Sequence, residues 1–215
     1  MGAAFIRSAA PTFDEPPHIA GGYSTLTTGS YRFHALHHPP FAEIWPAIPL
    51  VFLGADNFSS HPTWTGWKIY GYAEQFLYHN RLSAERMLNA GRIFNLLAWY
   101  SLLVLGLWNW SRRLGGGAAA LGAATVAAFC PVVISNLALV TTDTASSVCF
   151  FTTFWLLSIP DSGRRKEDLL RTALAGAAAG LAVASKFNMI ILPPLALGLL
   201  IADWLFRKKP SADFP

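Results

Sequence analysis

The stretch Phe13-Asp14-Glu15-Pro16-Pro17-His18-Ile19 opens a polar segment that extends to Phe41 and precedes a series of apolar segments. Two adjacent carboxylates, four histidines and two proline pairs lie within this polar segment. Prolines interrupt helices, and charged groups are costly in hydrocarbon. The segment is therefore not expected to cross a bilayer, and we predict an active-site loop that lies against a membrane domain.

The composition of the 215-residue chain indicates a membrane protein. Hydrophobic residues make up 53% of the chain and charged residues only 13%, whereas roughly 25% charged residues is typical of soluble domains. The formal net charge is +4, but the basic residues form short clusters beside apolar runs. This arrangement is typical of membrane topology rather than of a nucleic-acid-binding face, so no nucleic-acid partner is expected.

The apolar segments predict an all-α, polytopic helical bundle embedded in the membrane. A helix needs roughly 20 apolar residues to cross a hydrocarbon core of about 30 Å. The predicted spans are residues 93–110, 118–134 and 144–159, followed by residues 172–206. The last stretch is too long for one span and contains Lys186 near its middle, so it is predicted to form two short or broken helices.

Residues 1–92 are predicted to form one extracytoplasmic region, in which a long acidic first loop is accompanied by interfacial helices. Residues 41–55 are apolar but interrupted by Glu43 and two prolines, which favours a re-entrant or interfacial helix. Residues 56–92 are rich in Trp and Tyr, which favour the headgroup level of a membrane. Ser83 is a candidate N-cap for a helix that enters the bilayer.

The basic clusters predict the orientation of the chain. They are Arg112–Arg113, Arg164–Arg171 and Arg207–Lys209, the last in a basic tail of residues 207–215. If residues 172–206 cross the membrane twice, all three clusters fall on one side, which the positive-inside rule makes cytoplasmic. The loop around Asp14, together with Asp143 and Lys186, then meets on the opposite, extracytoplasmic face.

Three acidic residues are candidates for chemistry. Asp14 or Glu15 could act as a general base for an attacking hydroxyl; the alternative is a solvated acidic turn before the proline pair. Asp143 directly precedes a predicted span, where an ionisable group is a functional candidate; the alternative is a helix N-cap.

Basic residues and histidines supply the remaining candidates. Lys186, inside an apolar stretch, predicts either a bound phosphate or a side chain that reaches to the interface. Arg92 similarly suits phosphate oxygens or interface anchoring. His34, His37 and His38 could bind zinc, but the spacing of zinc enzymes is missing. No metal or other cofactor is therefore predicted.

Taken together, these residues resemble polytopic GT-C glycosyltransferases that use lipid-phosphate sugars. The closest resemblance is to the protein O-mannosyltransferase family (glycosyltransferase family 39) and its aminoarabinose-transferase-like relatives. The matching motifs are Phe13–Ile19, Tyr31-Arg32, His38-Pro39-Pro40, Gly91-Arg92, Val140–Asp143, and Gly180-Leu181 to Lys186-Phe187. The resemblance implies that a hexose or pentose moves from a polyprenyl- or dolichyl-phosphate donor to a protein, lipid or glycan acceptor. The reaction would take place on the extracytoplasmic face of the plasma or inner membrane.

The resemblance also implies a role for each site residue. Asp14 would be the base, Glu15 and His38 would shape the site, Asp143 would be the second acidic residue, and Arg92 and Lys186 would hold the lipid phosphate. The chain departs from its relatives, which often have Glu before His-Pro-Pro and Lys shortly after it, where this chain has His37 and Glu43.

Two features of the resemblance concern the extent of the chain. Relatives begin with a transmembrane helix before the acidic loop and continue with further helices, so the chain is expected to be the N-terminal, catalytic portion of a longer enzyme. The alternatives are an inactive truncated remnant or a non-catalytic membrane subunit. A transporter in which Asp143 and Lys186 pair is a third possibility, although no inverted repeat is evident.

Overall fold

A computed structural model describes residues 2–33 and 38–207 of the chain, and every regular element within these ranges is a helix. The elements are α1 (Gly2–Ser8), α2 (Glu15–Thr28), α3 (Phe41–Leu53), α4 (Pro62–Thr65), α5 (Ile69–Tyr78), α6 (Ala84–Asn95), a π-helical turn (Leu96–Tyr100), α7 (Ser101–Phe129), α8 (Pro131–Ala138), α9 (Thr142–Leu157), α10 (Arg165–Val183), a 3₁₀ turn (Phe187–Ile191) and α11 (Leu192–Arg207). The predicted all-α class is confirmed for the described residues. The polytopic arrangement stays a prediction.

The acidic segment after Phe13 is a helix rather than the predicted loop. Pro16 and Pro17 lie in the first turn of α2, where proline is tolerated because its missing N–H would have no intrahelical partner. The helix ends at Gly29, whose φ of 70° is favourable for glycine. The proline pair therefore starts a helix instead of preventing one.

Helices α2 and α3 pack in very close contact. A Cβ atom on Gly22 would lie 1.9 Å from the carbonyl oxygen of Glu43, so only glycine fits at this crossing. The packing is less close at Gly91 on α6, where a Cβ atom would lie 3.0 Å from the Ile19 side chain and 3.0 Å from the carbonyl oxygen of Pro46. Helix α3 has 13 residues and is therefore about 20 Å long. Its interfacial or re-entrant placement stays a prediction.

In the described part of the chain, one helical stretch, Ala84–Phe129, is long and apolar enough to cross a membrane, and it is kinked within its length. The predicted first span, residues 93–110, lies inside this stretch. Residues 92 and 93 both belong to α6, so the predicted boundary between the extracytoplasmic region and the first span falls inside a helix, and it stays a prediction. The backbone leaves helical geometry at Gly115 and Gly116, which separates the first predicted span from the second.

Two further expectations need correction. Residues 118–134 do not form one helix, because the chain breaks at Cys130 and Pro131 starts α8. The axes of α8 and α9 are bent by 114° relative to each other. The two helices are long and apolar enough for a second membrane span only if they are treated as one broken span. Helix α10 begins at Arg165 rather than at residue 172, since Glu167 and Asp168 suit the positive end of the helix dipole.

The two ends of α9 carry different chemistry. Asp143 lies in its first turn, whereas its last turn leads to a depression of about 410 Å³ whose charged lining residues are Arg113, Arg164, Arg171, Glu167 and Asp168. Helix α10 packs along α9 and leads away from this depression toward Lys186. Residues 208–215, which hold most of the predicted basic tail, lie outside the described residues.

Candidate active site

A cavity of about 400 Å³ brings together segments that are far apart in the sequence. It is lined by Asp14, Pro17, His18, Phe33, His38, Ile69, Tyr70, Thr141, Thr142, Asp143 and Lys186. Four of the six predicted site residues therefore meet in one place, namely Asp14, His38, Asp143 and Lys186. Glu15 and Arg92 lie outside the lining of this cavity.

Asp14 is placed at the cavity by the start of α2. It is the residue immediately before the helix, and its carbonyl oxygen accepts a hydrogen bond from the His18 backbone N–H at 3.3 Å. Its side chain is exposed. A carboxylate in this position can accept a proton from a ligand in the cavity.

Asp143 and Lys186 form an ion pair at the cavity wall. Asp143 is the second residue of α9, and Thr141 occupies the N-cap position, so the N-cap alternative for Asp143 is wrong. Lys186 lies in the break between α10 and the 3₁₀ turn. Its side chain is 26% exposed and its ammonium group remains within reach of a ligand in the cavity. The lysine that interrupts the apolar stretch thus has a carboxylate partner.

Glu15 points away from the cavity and forms a buried ion pair with Arg92. The guanidinium donates to both carboxylate oxygens, with Nε–Oε1 at 2.8 Å and Nη2–Oε2 at 2.6 Å. Glu15 is fully buried and Arg92 is 1% exposed. The remaining Arg92 donors reach the carbonyl oxygens of Ala9 at 2.9 Å and Ala10 at 3.0 Å. Such bidentate pairs are among the stronger hydrogen-bonded contacts in proteins.

The Glu15 carboxylate also accepts hydrogen bonds from two backbone amides, those of Thr12 at 3.0 Å and Val140 at 3.1 Å. Burial alone would raise the pKa of this carboxyl group, but the hydrogen bonds from Arg92 and from the two amides outweigh burial and hold the pKa below its usual value. Glu15 is therefore ionised at neutral pH. Because Val140 lies three residues before Asp143, the pair also joins α2 to the segment that carries the second acidic residue.

The sequence did not predict a second pair, His18 with Glu43. The His18 Nδ1 and Glu43 Oε1 atoms are 3.0 Å apart, and both side chains are buried. His18 lines the cavity, and its ring meets that of His38 edge-on at 5.6 Å between centroids. A predicted helix at α2 would have indicated that His18 lies near the site, because His18 follows Asp14 by four positions and residues four apart lie on one face of a helix.

His38 is held by a neighbouring phenol. The Tyr31 hydroxyl donates a hydrogen bond to the His38 carbonyl oxygen. Burial raises the pKa of Tyr31, and the nearby negative charge of Glu43 raises it further. The phenol therefore stays protonated and remains a donor. Among the described residues, no cluster of three or more His, Cys, Asp or Glu side chains could hold a metal ion. His34 and His37 lie outside the described residues.

A match to a protein-family model defines the class of the chain: a glycosyltransferase of the GT-C type, whose members are membrane proteins. More particularly, the chain belongs to the family described as dolichyl-phosphate-mannose-protein mannosyltransferase, whose model matches residues 84–212. This match contains Arg92, Asp143 and Lys186 but begins after Asp14 and Glu15. No curated protein and no solved structure matched the chain.

Proposed function

We propose that the protein transfers a sugar from a polyprenyl- or dolichyl-phosphate donor to an acceptor hydroxyl on the extracytoplasmic face of the membrane. The observation that carries this proposal is the cavity that joins Asp14 with Asp143 and Lys186 in a member of this family. The exposed carboxylate of Asp14 can meet a ligand there, and the ammonium group of Lys186, which is paired with Asp143, can meet an anion. These are the two charges that a transfer from a phosphate-linked sugar requires.

The proposed reaction is a direct displacement at the anomeric carbon. Asp14 accepts the proton of the acceptor hydroxyl while the hydroxyl oxygen forms the new bond to that carbon. The bond between the anomeric carbon and the phosphate oxygen breaks, and the lipid phosphate leaves with the electron pair. Lys186 offsets the negative charge on the phosphate, and Asp143 orients the ammonium group of Lys186. Displacement in one step inverts the anomeric centre.

For Glu15 and Arg92 we propose a positioning role. The guanidinium of Arg92 already binds Glu15 and two backbone carbonyl groups. Binding a lipid phosphate, as the sequence predicted for Arg92, would require breaking this buried pair. The pair instead fixes the start of α2, where Asp14 lies, relative to the segment before Asp143.

The distribution of charge supports the proposed orientation in the membrane. The cavity lies at the N-terminal end of α9, and the depression at its other end is lined by Arg113, Arg164 and Arg171 together with Glu167 and Asp168. A helix of 16 residues is about 24 Å long, so the two sites lie at well-separated levels. With the basic end cytoplasmic, as the positive-inside rule requires, the cavity faces the extracytoplasmic side.

The proposal is tested with the Asp14→Asn variant, assayed in its native membrane. Incorporation of radiolabelled mannose from polyprenyl-phosphate mannose should fall by roughly 10²–10⁴-fold, because asparagine cannot accept the proton. The matched control is Glu74→Gln, which neutralises an exposed carboxylate on α5 outside the cavity lining. Full transfer by the Asp14→Asn variant would reject Asp14 as the base. Absence of transfer by the unaltered protein would favour the non-catalytic subunit.

A further inference from the structure

Two exposed aromatic rings lie in contact at the edge of the cavity. The rings of Phe13 and Tyr70 are 5.3 Å apart between centroids and tilted by 38°. Phe13 is 76% exposed and Tyr70 is 60% exposed. Tyr70 lines the cavity, and Phe13 directly precedes Asp14. The two rings therefore border the place where the proposed base meets its ligand.

The local structure holds Tyr70 in this exposed position. Helix α5 packs on α2 through its opposite side, where Tyr72 and Phe76 are fully buried and Phe76 contacts Tyr23 at 5.1 Å between ring centroids. Trp67, three residues before Tyr70, has a φ of 60°, which is a rare and costly backbone conformation for a bulky residue. Strain of this kind persists only where the surroundings impose it, and it is concentrated at functional sites.

We propose that Phe13 and Tyr70 form a stacking platform for a pyranose ring, an inference that rests on the proposed sugar transfer. One face of a pyranose carries C–H bonds with a small positive charge, and the face of an aromatic ring is negative. A sugar stacked on this pair would present its hydroxyl groups at the ring edge, beside the Asp14 carboxylate. The ring could belong to the transferred sugar or to a saccharide acceptor.

The position of the pair favours a sugar ligand over anchoring in the membrane interface. Interfacial Trp and Tyr residues form belts at the headgroup level, and they need no contact with a polar cavity. Phe13 contacts Tyr70, and Tyr70 lines a cavity whose other walls hold Asp143 and Lys186. Tyr78, at the far end of α5, is exposed to a similar degree, 59%, but does not line the cavity. It therefore offers a matched control.

The experiment measures binding of methyl α-D-mannopyranoside to the protein in nanodiscs by saturation-transfer NMR. The dissociation constant should rise roughly tenfold in Phe13→Ala and in Tyr70→Ala, since stacking contacts are lost. Tyr70→Phe, which keeps the ring, and Tyr78→Ala should bind like the unaltered protein. Asp14→Asn should keep binding and lose turnover, so failure of the platform and failure of the proposed function are distinguishable.

Kinetic measurements on the same variants identify the source of the sugar. A higher KM for the lipid-phosphate donor assigns the platform to the transferred sugar, and a higher KM for a saccharide acceptor assigns it to the acceptor. Equal affinity in Phe13→Ala, Tyr70→Ala and the unaltered protein would overturn the proposal. The same holds if the unaltered protein shows no binding, if Tyr78→Ala weakens binding as much as Tyr70→Ala, or if only the KM for a peptide acceptor changes.

Discussion

Replacing Arg92 with methionine should destabilise the protein more than any change at an exposed arginine. The substitution leaves the Glu15 carboxylate fully buried without its cationic partner. Removing one partner of a buried ion pair typically costs about 3–5 kcal/mol. Glu15 would keep the backbone N–H donors of Thr12 and Val140, which places the expected loss near the lower limit, at about 3 kcal/mol.

The assay is thermal unfolding in nanodiscs followed by circular dichroism. For a chain of this size, a loss of 1 kcal/mol lowers Tm by about 2–4 °C, so Arg92→Met should lower Tm by about 6–12 °C. The matched control is Arg164→Met. The Arg164 side chain is 74% exposed, and that of its partner Glu167 is 52% exposed. Exposed pairs contribute little to stability, so the control should shift Tm far less.

A double variant tests whether the pair itself causes the loss. In Arg92→Met with Glu15→Met, no buried charge remains, and buried pairs can be replaced by apolar residues at little cost. The double variant should therefore be more stable than the sum of the two single losses predicts, by about 0.5–3 kcal/mol. Strict additivity of the two single losses would show that the residues act independently, and the proposed positioning role would then be refuted.

Two further predictions concern the same region. Gly22→Ala should strongly reduce the yield of folded protein, because the added Cβ would meet the Glu43 carbonyl oxygen. Gly176→Ala should be tolerated, because the space around its Cβ is open. Size-exclusion chromatography measures the two yields, and equal yields would contradict the close packing of α2 and α3. Because the pKa of Glu15 is lowered in the folded state, its stabilising contribution is present above the usual value of 4.5 and is lost as the pH falls through the folded-state pKa. The Tm difference between the unaltered protein and Glu15→Gln should therefore shrink between pH 5 and pH 3, and a difference independent of pH would contradict this reasoning.

Basic clusters and apolar lengths in the sequence predict that Asp14, Asp143 and Lys186 lie on one side of the membrane. In the structure these three residues line one cavity. The side of the membrane that this cavity faces stays a prediction. The pairing of Glu15 with Arg92 could not be predicted in the same way, because it joins residues 77 positions apart through a specific rotamer and four backbone groups. No local pattern encodes such a contact.

Helix bounds were predicted less well wherever proline was involved. Pro16 and Pro17 favour a loop when only the sequence is considered, yet proline is also favoured in the first turn of a helix. Pro131 was included in a span, yet it starts a new helix after Cys130. In both cases the same residue type supports two structures, and tertiary packing decides between them. The His18–Glu43 pair was missed for this reason, since only a helical α2 aligns His18 with Asp14.

Asp14 and Glu15 are adjacent carboxylates with opposite surroundings, and the start of α2 is the physical cause. Asp14 precedes the helix and stays exposed at the cavity, whereas Glu15, the first helical residue, turns into the protein and meets Arg92. A buried, ionised Glu15 would be too costly without its partner, so the pair fixes the direction in which α2 begins. That direction sets the position of Asp14. The positioning role that we propose for Glu15, the neighbour of the proposed base, is therefore to hold the helix and the Val140 backbone in place without touching the substrate.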